Sequence, residues 1–382
     1  MMVSAVDLVS GSRAGGNRPA VATGPPSERR QRVGYLDGIR GLAIGGVIAF
    51  HWIGSRFPFA TSGYIGVDLF FVLSGYIIST MLWRSRPRSR SVTAQYRAFL
   101  WRRVVRLYRA LLAMVLGTIT IYALLPNGRA RVSDLLAPGF LALVQGSTFS
   151  VAGGHTSPFE MTWSLSIEWM FYLLWPLAIF AARRVGINAK HAAPAVAVIA
   201  GVMYVVALFQ SPSSFYFGPL ARIPEMLIGG ALALSVVDST SFAPLRRPRV
   251  AMGMGLLLVA ASAEYAMFLP VRYGIVFRWI GLPLAVCAGI YLIWLGLRAD
   301  NFLIKWLSWK PLTLLGRASY SVYLWNFVGF DLFVRPGVYE PPLILALAVA
   351  FGAGMAALSY RFVERPFMRS ERFALVQRRW GR

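Results

Sequence analysis

An arginine and a histidine share the first long apolar segment of the chain. Arg40 and His51 are eleven residues apart. On a helix, eleven steps of about 100° come to almost three turns, so both side chains share a face, about 16 Å apart along the axis. A neutral imidazole can take a proton from a hydroxyl group, which is the step that acylation of an alcohol requires. The spacing predicts a functional face with His51 as its base; the alternative is a histidine that only bonds neighbouring helices.

Further ionisable residues lie inside other apolar segments. These are Asp68, Glu168, and Arg222 with Glu225 three residues later. Ionisable groups inside a membrane are costly, so each marks either a functional site or a buried pair. Asp68 could orient His51 or pair with an arginine, and Glu168 needs a partner or a wet cavity. Arg222 and Glu225 could simply neutralise each other.

A basic block precedes the third apolar segment. It contains Arg102, Arg103 and Arg106, with aromatic and aliphatic residues between them. The pattern predicts a basic amphipathic helix at the membrane surface, where it could anchor to lipid headgroups and set topology. Alternatively, the planar guanidinium groups could bind the phosphate groups of a ligand.

The elements that position these residues are membrane-spanning helices. The 382 residues are 57% hydrophobic and 14% charged, whereas soluble domains carry about 25% charged residues. The net charge is +24, but the arginines lie between apolar segments, where they orient the spans in the bilayer. We therefore predict an all-α, multi-pass bundle in the cell membrane, with no nucleic-acid partner. The single cysteine, Cys287, excludes a disulfide within the chain.

The number of spans follows from the charges between them. An eleventh apolar segment, 135–150, would divide the later basic loops between both sides of the membrane if it crossed. We therefore predict ten helices with both termini in the cytoplasm, and a re-entrant or surface position for 135–150. The ten predicted spans are 36–54, 64–82, 107–125, 161–180, 192–209, 220–237, 250–269, 275–297, 318–334 and 342–362.

Three regions follow from this pattern. Residues 1–33, rich in Gly, Ser, Pro and Arg, are predicted to be a disordered basic tail. Residues 34–366 form the transmembrane domain, and residues 367–382 are predicted to be a basic cytoplasmic tail.

Seven short motifs, in this order, make the chain resemble the acyltransferase-3 family of integral membrane O-acyltransferases over about residues 34–370. The motifs are Arg40 with His51, Gly66–Gly75, Arg102–Arg106, Trp163–Glu168, Arg222 with Glu225, Ser319–Leu324 and Glu364–Pro366.

The resemblance implies a ten-helix bundle that transfers acetyl or related acyl groups to extracytoplasmic glycans, glycolipids or sugar-bearing metabolites. It implies that Arg40 and His51 are essential, with His51 the base. Acyl-coenzyme A would be the co-substrate, its phosphates bound by the arginine block from the cytoplasm. No permanently bound cofactor and no metal are expected.

The predicted site divides into two groups. Catalysis is assigned to His51, Arg40, Asp68 and Glu168. Substrate or coenzyme A binding is assigned to Arg102, Arg103, Arg106, Arg222, Glu225, Ser166 and Tyr323.

The chain also departs from the family pattern. Asn326 stands where many members have a histidine, which removes a second candidate base. Many members add an extracytoplasmic esterase-like domain that is not expected here, so a separate extracytoplasmic protein is a candidate partner. The alternative function is a transporter or flippase for a lipid-linked sugar or acylated metabolite, with the same charges serving as a relay.

Overall fold

The computed structural model describes residues 26–54, 57–85, 91–125, 128–155, 157–237, 277–298, 302–334 and 341–366. Within these ranges all regular secondary structure is helical, which confirms the all-α prediction. The α-helices are α1 Pro26–Ile53, α2 Ile65–Arg84, α3 Val92–Leu124, α4 Gly128–Leu143, α5 Ser147–Ala152, α6 Trp163–Arg184, α7 Ala189–Ala207, α8 Pro212–Phe217, α9 Pro219–Val236, α10 Leu282–Arg298, α11 Phe302–Leu307, α12 Lys310–Phe333 and α13 Pro342–Leu358. Short 3₁₀ turns cover Pro58–Tyr64 and Glu160–Thr162, and π-helical turns cover Phe277–Gly281 and Ser359–Glu364.

Eight helical segments are long and apolar enough to cross a bilayer. They are Gly34–Ile53, Ser62–Arg84, Val92–Leu124, Glu160–Arg184, Ala189–Ala207, Pro212–Val236, Phe277–Leu297 and Pro342–Glu364. They coincide with eight of the ten predicted spans. The predicted span 250–269 lies outside the described residues. The predicted span 318–334 falls in α12, which is long enough to cross but carries several charged and polar residues. The count of ten and the side of each terminus stay predictions.

Two helices extend beyond the predicted boundaries. α1 begins at Pro26, inside the predicted tail, where proline suits the first position because its φ is already helical. Residues 1–25 and the predicted tail 367–382 lie outside the described residues. The arginine block is part of α3, a continuous helix of 33 residues. The block therefore extends the third span instead of forming a separate surface helix.

Segment 135–150 is too short to cross a bilayer. Its apolar helical part, Val132–Leu143, has 12 residues and is about 18 Å long, against a hydrocarbon core of about 30 Å. Helix α4 ends at Leu143, and Gln145 then has a φ of 60°. The geometry agrees with the predicted re-entrant or surface position.

Glycines bring the backbones of the central helices together. A Cβ atom on Gly41 of α1 would lie 2.1 Å from the carbonyl oxygen of Leu312, and one on Gly316 of α12 would lie 1.8 Å from that of Asp37. Helices in a membrane approach this closely where small residues face each other. The α1–α12 contact is therefore one of direct backbone packing.

Helices α1 and α12 run parallel. Their contacts advance together along both helices, from Asp37 with Gly316, through Arg40 with Ser319, to His51 with Asn326. A parallel arrangement is what the ten-span prediction requires of its first and ninth helices. Because Arg40 and His51 both contact α12, the structure also confirms that they share one face of α1.

We expect Gly41→Ala to lower the thermal unfolding midpoint of the detergent-solubilised protein by several degrees. The added methyl group would force α1 away from α12, and overpacking of this kind costs about 1–3 kcal/mol. Gly45→Ala on the same helix is the matched control, because nothing lies within 4 Å of its added Cβ. Equal midpoints for the two variants would contradict the close packing.

Candidate active site

The imidazole of His51 is held from one side by α12. Its Nδ1 atom lies 2.9 Å from the Nδ2 atom of Asn326, and the Oδ1 atom of Asn326 accepts a hydrogen bond from the indole of Trp52. The rings of Phe50 and Phe327 pack against the imidazole at centroid distances of 5.0 and 5.4 Å. Asn326, the residue that departs from the family pattern, is therefore an orienting partner of His51.

His51 also lines a cavity of about 60 Å³. A single water molecule needs roughly 10–15 Å³ by the same kind of measure, so the space suits a small group such as an acetyl. The lining includes one carboxylate that the sequence analysis missed, Glu160. It precedes the predicted span 161–180 by one residue, and its position just before the Trp163–Glu168 motif was the available signal. The described lining residues are Val47, Phe50, His51, Tyr64, Val67, Glu160, Met161, Trp163, Tyr216, Phe217, Tyr323 and Phe327.

Arg222 forms a fully buried cluster with two carboxylates. Its Nη1 atom lies 2.5 Å from Asp68 Oδ1 and 2.9 Å from Glu225 Oε1. Its Nε atom donates to the carbonyl oxygen of Tyr216 at 2.7 Å, and the guanidinium group lies 4.4 Å from the centre of that tyrosine ring. Of the two roles open to Asp68, the structure shows the pairing with an arginine. Because Tyr216 lines the cavity, this cluster supports the cavity wall.

Glu168 lies in a different environment from His51. Its carboxylate accepts hydrogen bonds from Ser74 at 3.2 Å and from Tyr172 at 2.8 Å. The guanidinium group of Arg103 lies 5.1 Å from the centre of the Tyr172 ring and 5.3 Å from that of Phe99. Arg103 is buried, so its role includes packing α3 against α6.

The two remaining predicted binding residues differ in position. Tyr323 lines the cavity; its hydroxyl lies 2.7 Å from Ser164 Oγ and donates to the carbonyl oxygen of Met161, also at 2.7 Å. Ser166 is buried, and its hydroxyl donates to the carbonyl oxygen of Thr162 in the preceding turn. The structure therefore places Tyr323, but not Ser166, at the cavity.

Arg40 is buried in a second cluster on the same face of α1. Its Nη1 atom lies 3.4 Å from Asp37 Oδ1, and its Nη2 atom donates to Ser319 Oγ at 3.2 Å. The other carboxylate oxygen of Asp37 accepts from Arg317 Nε at 3.0 Å. Asp37 lies three residues before Arg40, a spacing at which helical side chains can pair, and the structure shows this pair.

The arginine block meets this second cluster. Tyr172 lies within electrostatic range of Arg40, Arg103 and Arg106. Glu364, a buried carboxylate of the Glu364–Pro366 motif, accepts a hydrogen bond from Ser321 and lies within electrostatic range of Arg106 and Arg40. We call Arg40, Arg103, Arg106 and Glu364 the basic cluster. Arg102, one position away on α3, is half-buried.

The helices and these buried polar groups define a multi-pass membrane protein. The chain belongs to a family of acyltransferase domains, whose family model matches residues 33–361.

Two relatives show how much is shared. The chain is 30% identical to the peptidoglycan O-acetyltransferase OatA of Listeria monocytogenes, over 89% of this chain and 56% of that protein. It is 31% identical to YrhL of Bacillus subtilis, over 90% of this chain and 56% of YrhL. The chain thus spans little more than half the length of these relatives. No solved structure matches it.

We expect Arg222→Met to destabilise the protein far more than Arg317→Met. The first change leaves two buried carboxylates without their cation, and breaking a buried pair costs about 3–5 kcal/mol. The side chain of Arg317 is 40% exposed, so water screens its pair with Asp37, which contributes about 1 kcal/mol or less. Thermal unfolding in detergent measures both; similar losses would contradict the structural role of the Arg222 cluster.

Proposed function

We propose that this chain is an O-acyltransferase of the plasma membrane. It moves an acetyl or other short acyl group from cytoplasmic acyl-coenzyme A to a hydroxyl group of an extracytoplasmic glycan, glycolipid or sugar-bearing metabolite. The observation that carries the proposal is the position of His51, whose imidazole is both oriented by Asn326 and part of the wall of a small cavity.

His51 is the catalytic group of this proposal. An imidazole can serve acyl transfer in two ways, as a base that takes the hydroxyl proton or as a donor that stabilises the developing oxyanion. The residue pattern and the family resemblance favour the base. Which role applies depends on the ring nitrogen that carries the proton, and the bond to Asn326 bears on that choice.

The basic cluster supports acyl-coenzyme A as the donor. Arg40, Arg103 and Arg106 gather near Tyr172, and arginine binds phosphate oxygens with a planar fork. The cluster lies eleven residues from His51 along α1, or about 16 Å, a separation that an extended acyl-bearing arm would bridge. In this arrangement the donor and the acceptor enter from opposite sides of the membrane.

Peptidoglycan is the acceptor that we propose first. The relative from Listeria monocytogenes is named as a peptidoglycan O-acetyltransferase, and a relative from Staphylococcus aureus, 27% identical over 91% of this chain and 59% of that protein, is named as an O-acetyltransferase. A separate extracytoplasmic protein is a candidate partner for handing the acyl group to so large an acceptor.

We expect purified protein in liposomes to release free thiol from acetyl-coenzyme A and to acetylate added muropeptides, as seen by mass spectrometry. His51→Ala should lower this rate by about a hundredfold or more, because a catalytic acid–base or donor group is lost. His155→Ala is the matched control, since His155 is exposed outside the described cavity lining. Wild-type protein that binds the acetylated product yet releases no thiol would instead support a transporter.

We expect Arg106→Gln to raise the KM for acetyl-coenzyme A about tenfold and to leave kcat nearly unchanged. One charge-assisted hydrogen bond to a phosphate would be lost, and a tenfold change corresponds to about 1.4 kcal/mol. Arg109→Gln, three residues along α3 at an exposed position, should leave the KM unchanged. An equal effect of both variants would indicate a general charge effect and contradict a specific phosphate contact.

A further inference from the structure

Three residues form a chain of hydrogen bonds that ends on His51. The indole nitrogen of Trp52 can only donate, so the oxygen of the Asn326 amide must face it, as the structure has it. The amide nitrogen of Asn326 is then turned toward the Nδ1 atom of His51, 2.9 Å away. An amide nitrogen also only donates. Nδ1 must therefore accept, and a neutral imidazole then carries its proton on Nε2.

Burial keeps this order of donors and acceptors in place. Trp52 and Asn326 are each only 5% exposed, so little water is available to replace a lost partner. Turning the amide over would set two N–H donors against each other at Trp52, and buried donors without acceptors are strongly disfavoured. The packing of Phe50 and Phe327 on the imidazole further restricts its rotation.

A base that acts through Nε2 needs the opposite arrangement. It requires a proton on Nδ1 and an acceptor to hold that proton, as a carboxylate or carbonyl oxygen provides. The structure places Asp68 against Arg222 and Glu168 against Ser74 and Tyr172. The oxygen of Asn326 accepts from Trp52 and is therefore turned away from the imidazole.

We propose, as an extension of the acyltransferase function above, that Trp52 and Asn326 are positioning residues that hold His51 in the Nε2–H tautomer. His51 then donates a hydrogen bond to the acyl carbonyl oxygen, and the carboxylate of Glu160 takes the proton of the acceptor hydroxyl. Of the twelve described residues that line the cavity, Glu160 supplies the carboxylate.

The step balances with these two groups. The acceptor oxygen forms a bond to the acyl carbon while its proton passes to Glu160, and the carbonyl oxygen gains negative charge beside the Nε2–H group of His51. As the carbonyl reforms, the carbon–sulfur bond breaks and coenzyme A leaves as a thiolate. Glu160 returns its proton to solvent or to the thiolate, and the ester remains on the acceptor.

The tautomer can be measured directly. The chain has three histidines, so His155→Asn with His191→Asn leaves His51 as the sole histidine for ¹⁵N-histidine NMR at a pH where the ring is neutral. We expect the chemical shifts of the Nε2–H form. In the Trp52→Phe variant, which lacks the indole donor, the Asn326 amide can turn over, and we expect a mixture of both tautomers. A spectrum dominated by the Nδ1–H form in the otherwise wild-type protein would overturn the proposal.

Kinetics separate a donor from a base at position 51. The amide nitrogen of glutamine can occupy the place of Nε2 and donate, but it cannot take a proton, so His51→Gln should retain at least about ten times the activity of His51→Ala. Glu160→Gln should lose about as much activity as His51→Ala. Equal rates for His51→Gln and His51→Ala, with Glu160→Gln unimpaired, would restore His51 as the base. If the wild-type protein transfers no acyl group, the proposed function fails, whereas the NMR result still decides the tautomer.

Discussion

The direct backbone contact between α1 and α12 is the constraint on which the site depends. Serine and asparagine side chains are short, so Ser319 and Asn326 reach Arg40 and His51 only because glycines such as Gly41 and Gly316 let the two helices touch. The parallel direction matters equally, since it brings successive turns of α12 to successive turns of α1. Separation of these helices would therefore disturb the contacts of Arg40 and those of His51 together.

Charged side chains inside the bundle lie next to side chains of opposite charge. Arg222 faces two carboxylates, Arg40 faces Asp37, and Glu364 lies within range of Arg106. In an apolar interior each such charge must be paired or hydrogen-bonded. The apolar surroundings therefore require these pairs. For the same reason Asp68 of span two and Glu168 of span four are bonded to structural partners.

The polar groups of α1 occur at two levels with different surroundings. Around Arg40 the neighbours are charged and hydroxylic, which suits an anionic ligand. Around His51 the neighbours include aromatic rings and the amide group of Asn326, which suit a neutral imidazole beside a small cavity. In the proposed acyl transfer, the level of Arg40 would hold the charged donor, and the level of His51 would hold the reacting carbonyl and hydroxyl groups.

The class of protein, the eight candidate spans among the described residues, the shared face of Arg40 with His51 and the pairing of Asp37 with Arg40 all follow from the order of residues along the chain. Hydropathy, helical spacing and charge placement are local properties and can be read along the chain. The partners of His51 and Asp68, and the contact of Glu168 with Ser74, depend on tertiary packing because they join distant segments. His51 and Asn326, for example, are 275 residues apart. The cavity position of Glu160 and the burial of Glu364 escaped prediction for the same reason. Each residue lies at the edge of an apolar segment, where composition alone indicates a loop or a helix end, and the packing of distant helices decides its surroundings.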